Sequence, residues 1–92
     1  MSQHKVGLTG ANFWKDEVAQ ALTRAGLAQN RYGDFASMHE AFGVLAEEVA
    51  EFLDAVRLRQ EDPTRSEKLR HEALDVAAVA LRIAEQVERV KR

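Results

Sequence analysis

Apolar positions along this chain recur at spacings of three and four, and only the links between those runs break the rhythm. Phe13, Trp14, Val18, Ala21, Leu22 and Ala25 mark a first amphipathic helix. Asn12 is its predicted cap, Asp16 and Glu17 sit in the first turns where the helix dipole favours acids, and Gly26 is its predicted stop. Residues 27–36 (LAQNRYGDFA) then read as a loop built on Asn30, Gly33 and Asp34. Ser37 and Glu40 form a capping box opening a second helix that runs to about Gln60. Its seam is Met38, Phe42, Leu45, Val49, Phe52 and Val56, a heptad-like stripe for packing on another helix. Gly43 costs that helix about 1 kcal/mol relative to Ala.

Glu61–Thr64 reads as the next turn, in which Pro63 ends the preceding helix, and Thr64 with Glu67 repeats the capping-box pattern. A third helix follows from about Arg65 to Val90. Leu69, Val76, Ile83 and Val90 recur at heptad spacing, with Ala73, Val79, Ala80 and Val87 beside them. A second strip, Leu74, Ala77, Ala78, Leu81 and Ala84, lies on another side. A helix with two apolar sides needs more than one neighbour. The pattern predicts an all-α fold: a hairpin of the second and third helices, partly covered by a shorter N-terminal helix, the remaining apolar surface meeting another copy of the chain. Residues 1–11 show no period and read as a flexible arm before a single helical domain at 12–92.

Composition narrows the functional classes. The 92 residues carry 13 Lys+Arg against 15 Asp+Glu, a net charge of −2, which disfavours a nucleic-acid polymer as partner. With no Cys, disulfides, zinc–thiolate sites, iron–sulfur clusters and cysteine nucleophiles are all excluded. No apolar run is long enough for a membrane span and Met1–Gly10 has no apolar signal core, so the expectation is a cytoplasmic protein without a membrane partner.

The chemistry concentrates in acid pairs. Glu48 and Glu51 on the second helix, and Glu72 and Asp75 on the third, are each spaced i, i+3, which puts both carboxylates on one helix face. Both cross-pairs, 51 with 72 and 48 with 75, centre between Glu61 and Asp62, so a symmetric hairpin sets all four acids at one level. Glu48 sits about 60° from Leu45, on the flank of the seam beside Ala41 and Ala55. Glu72 falls inside the apolar stripe of Leu69, Val76 and Val79. Carboxylates withdrawn from water need a partner, and four facing acids repel one another. A divalent cation such as Mg²⁺, held by carboxylate oxygens, answers both demands. The alternatives are solvated surface acids, or charge pairing with Arg57, Arg59, Lys68, Arg70 or Arg82. Arg82, seven residues beyond Asp75, lies near that acid's face, where it serves either as counter-ion or as a phosphate contact.

These residues carry a resemblance. The pattern of ExxE, a gap of twenty residues, then ExxD is similar to the all-α nucleoside triphosphate pyrophosphohydrolases of the MazG-like type, closest to their short phage and bacterial branch. The stretches Arg31–Phe35, Ser37–Glu40, Val44–Glu51 and Glu72–Ala80 bear it. The resemblance implies a homodimer or homotetramer of four-helix-bundle type. It implies Mg²⁺-dependent (or Mn²⁺-dependent) hydrolysis of a nucleoside triphosphate to monophosphate and pyrophosphate. The metal ligands it implies are Glu48, Glu51, Glu72 and Asp75, with Glu47 as a secondary support and Glu48 or Glu51 handling the attacking water. Arg82, Lys68, His39 and Trp14 are the candidate substrate contacts. Each has a plainer role: His39 as a first-turn surface residue, Trp14 as core or interface. The rival to the enzyme is a non-catalytic helical oligomerisation or regulatory module with the same fold. No Glu-x-x-His pair is present, which disfavours a ferritin-type di-iron site.

Overall fold

The computed structural model describes residues 10–91, and every regular element among them is helical: α1 (Gly10–Phe13), α2 (Lys15–Tyr32), α3 (Met38–Val56) and α4 (Arg65–Val90). The expected arm at residues 1–11 lies outside the described residues up to position 9; its last two residues begin the single turn of α1. Asn12 is inside α1 and caps nothing downstream. Trp14 takes the N-cap position of α2 without a side-chain cap.

Two further boundaries differ from the sequence pattern: the first long helix ends later than expected, and α3 ends at Val56 rather than at about Gln60. The first long helix does not stop at Gly26 but continues to Tyr32, leaving a five-residue link at 33–37. One glycine costs a helix only about 1 kcal/mol, and the half-buried Ala25, Ala28 and Gln29 hold this stretch inward. The true stop is Gly33, at φ 72° and ψ −162°, a backbone region almost confined to glycine. In the hairpin turn, Thr64 makes no side-chain cap. Its N–H and Oγ1 both donate to Asp62 Oδ1, at 2.8 and 2.6 Å. Arg65 closes the turn by donating to the carbonyls of Leu58 and Val56. The capping box at the start of α3 forms as expected: Ser37 Oγ accepts from the N–H of Glu40, and Glu40 Oε1 accepts from the N–H of Ala36.

Helix α4 is the shared partner, with α3 on one side and α2 on the other. Of the expected seam of α3, only Leu45 and Phe52 belong to the hairpin contact. Met38, Phe42, Val49 and Val56 point outward, while Ala41, Val44, Leu45, Glu48, Phe52 and Ala55 turn inward. Small residues at 41 and 55 let the helices approach closely. The buried cluster of Phe35, Ala41 and Val79, edged by Val44, Leu45 and Ile83, sits at the end of the hairpin nearest the α2–α3 link. That link is clasped to α4. Gln86, itself buried, accepts from the N–H of Phe35 and donates to its carbonyl, both at 2.9 Å. Arg89 holds Asp34 through two hydrogen bonds. No helix among the described residues is long and apolar enough to cross a membrane.

Candidate metal centre

The hairpin brings the acid pairs of α3 and α4 together, but not as one ring of four. Carboxylate oxygens of Glu48, Glu51 and Glu72 converge, all within 4.8 Å of one another. Glu72 is shared with a second group in which His71 and Asp75 meet the same limit. Asp75 is turned toward α2, where Arg24 Nη1 donates to Asp75 Oδ1 and to the carbonyl of His71, both at 2.8 Å. His71 Nε2 lies 3.4 Å from the other Asp75 oxygen. The counter-ion of Asp75 is therefore Arg24, not Arg82, because α2 packs along this face of α4.

Both helices place one oxygen where nothing answers it. Glu48 Oε2 and Glu72 Oε1 are buried with no hydrogen-bond partner. Glu48 occupies the inward heptad of α3 between Ala41 and Ala55, and Glu72 falls in the apolar stripe of α4. Burial, followed by repulsion from Glu51 and then Asp75, pushes the Glu48 carboxyl up from 4.5 to about 7. A buried acceptor left unpaired costs about 1–3 kcal/mol, and more when charged. The acid trio supplies only carboxylate oxygens, with no thiolate, and its two bare oxygens lie on opposite arms of the hairpin. That donor set suits a hard divalent cation such as Mg²⁺ or Mn²⁺.

A cleft of about 570 Å³ opens beside the acids, between α2 and α3 and floored by α4. Arg24, Glu47, Glu48 and Asp75 line one end; Tyr32, Phe35 and Arg82 line the other. Seven residues of α4 separate Asp75 from Arg82, a distance of about 10 Å. Glu47, whose helical angle places it away from the hairpin, thus lines this cleft rather than the trio. Arg82 is buried and committed. Its Nε donates to Gln29 at 3.2 Å, its Nη2 donates to the Gly33 carbonyl at 3.0 Å, and its guanidinium covers the Phe35 ring at 4.4 Å.

The other candidate contacts are scattered. Lys68 borders a separate depression with Glu51, Asp54 and Glu72 on the far side of the trio. His39 is exposed on the first turn of α3, outside the cleft lining. Trp14 packs edge-on against Phe13 and lines an apolar groove with Val18, Leu22, Leu74 and Leu81, also away from the acids. Arg24, absent from the sequence-based candidates, carries a mark in the sequence: it is a cation inside the Ala21, Ala25, Ala28 stripe of α2, as Glu72 is an acid inside the stripe of α4. No family model matches this chain, and no curated protein or solved structure matches it either.

Proposed function

We propose that this protein is a Mg²⁺-dependent nucleoside triphosphate pyrophosphohydrolase of the MazG-like type, acting in nucleotide-pool house-cleaning in the cytoplasm. The observation that carries the reading is the pair of partnerless buried oxygens, Glu48 Oε2 and Glu72 Oε1, on opposite arms of one hairpin at a three-carboxylate convergence. Glu48, Glu51 and Glu72 would hold the cation, with Asp75 joining when released from Arg24. Bound there, Mg²⁺ supplies charge neutralisation for the triphosphate and the departing pyrophosphate. Glu48 and Glu51 are the acceptors at hand for the proton of an attacking water. The cleft, about 10 Å from acid end to aromatic end, suits a nucleotide with its phosphates at Asp75 and its base toward the exposed Tyr32 ring.

An oligomer belongs to the same proposal. Phe42 is 69% exposed on the outer face of α3, in line with Met38, Val49, Leu53 and Val56, and no large side chain is fully buried within the described residues. Surface of this kind is covered in a homodimer or homotetramer of four-helix-bundle type. The same faces favour the second reading, a helical oligomerisation module without turnover.

Two measurements separate the readings. Millimolar Mg²⁺ or Mn²⁺ is expected to raise the melting temperature, because the cation binds only the folded acids. Pyrophosphate release across a panel of nucleoside triphosphates then shows turnover that Glu72→Gln abolishes. No metal-linked stabilisation, or turnover unchanged in Glu72→Gln, overturns the proposal. Stabilisation without turnover leaves the module.

A further inference from the structure

Two guanidinium groups line the cleft, and they are held in different ways. Arg82 is buried and fixed by the backbone of the α2–α3 link, by Gln29 and by the Phe35 ring. Arg24 reaches across from α2 to Asp75, an acid at the edge of the cluster, and to one helix carbonyl. The side chains of this pair are 26% and 28% exposed, so water and solutes reach them from the cleft. A carboxylate oxygen of Asp75 already lies within 4.8 Å of one of Glu72 in the second acid group. A cation drawing on Asp75 Oδ1 would share that oxygen with Arg24, which donates to it at 2.8 Å, and a guanidinium beside a divalent cation is repelled. A long arginine side chain escapes by rotating about its own bonds, and of the two spaces it borders the cleft is the larger, about 570 Å³ against about 350 Å³ for the depression beside Lys68 and Arg70.

We infer that Arg24 is a built-in competitor for Asp75, displaced when a divalent cation binds the acid cluster, and that the displaced guanidinium then holds the anion accompanying that cation. The inference rests on the cation site proposed above and adds a positioning residue to it. One side chain then guards the site against stray cations and receives a metal–polyphosphate complex. It implies that replacing Arg24 changes the two affinities in opposite directions, an outcome that damage to the fold does not produce.

The test uses calorimetric titration of the full chain, first with Mn²⁺ alone and then with the manganese complex of inorganic pyrophosphate. Arg24→Gln is expected to bind Mn²⁺ about two- to fivefold more tightly than wild type, the scale of one partly exposed ion pair. It is expected to bind manganese pyrophosphate about two- to fivefold more weakly. If Arg24→Gln does not fold, Arg24→Lys carries the test. Its Mn²⁺ affinity should stand at or above that of wild type, with pyrophosphate affinity kept within about twofold because the charge remains. Changes of the same sign in Arg24→Gln, no change in either affinity, or loss of either in Arg24→Lys overturn the inference while leaving the cation site intact. A wild-type protein that binds no Mn²⁺ overturns both together.

Discussion

Glu48→Gln is expected to make the metal-free protein more stable at pH 8 while removing its response to Mg²⁺. The Glu48 carboxyl is raised by folding from 4.5 to about 7, with burial as the first cause. Because the folded value lies above the unfolded one, the group's contribution is fully present below about pH 4.5 and is lost as pH climbs through 7. At full burial that difference corresponds to roughly 3 kcal/mol, and water reaching the carboxyl from the cleft reduces it to on the order of 2 kcal/mol. Glutamine keeps the shape, carries no charge and donates to the carboxylates around it. At about 4–8 °C per kcal/mol for a domain of this size, the variant should melt roughly 8–16 °C above wild type at pH 8 in EDTA. Near pH 4.5 the two should nearly coincide. Circular dichroism melts across this pH range, at one protein concentration and with EDTA or millimolar Mg²⁺, read both effects. A variant less stable than wild type at pH 8 in EDTA, or one with the same pH slope, refutes the reasoning.

Gly33→Ala should cost about 1–3 kcal/mol, since φ 72° with ψ −162° is strained for any L side chain. Gly26→Ala should instead add about 0.5–1 kcal/mol, because the site is helical and a methyl group there meets nothing within 4 Å. Paired melts of the two variants check the contrast. Gln86→Ala leaves the N–H and carbonyl of Phe35 without their partner and should lower stability by about 2–4 kcal/mol, readable by urea unfolding. Phe42→Asp should lower the mass seen in sedimentation at unchanged helix content, and an unchanged mass would remove the outer face of α3 from the proposed assembly.

The hairpin, its turn at Pro63, the Ser37–Glu40 box and the level placement of the acid pairs were legible in the chain, because each depends on residues near one another in sequence or on simple register. The inward face of α3 was not. Periodicity reveals that an apolar stripe exists without naming the neighbour it covers, and this helix carries two: the larger side chains of Phe42 and Val49 face out, while Ala41 and Ala55 allow close contact with α4. The end of the first long helix differs because a glycine after an apolar run reads as a C′ stop at Gly26, whereas packing of Ala25 and Ala28 carries the helix on to Gly33. The split of the acid quartet was hidden for another reason. Asp75 is claimed by Arg24 from 51 residues away, a pairing that only the docking of α2 on α4 creates.

The clasp of Gln86 on Phe35 has a consequence for how the cleft opens. One amide group presents an acceptor and a donor to a single residue's N–H and C=O, the same pairing a neighbouring β-strand would offer. The Phe35 amide proton should therefore exchange with solvent as slowly as those in the middle of a long helix, although it sits in a connecting segment. The aromatic wall rides with α4 as one piece, so breathing of the cavity falls to the middle of α2, where Arg24 sits.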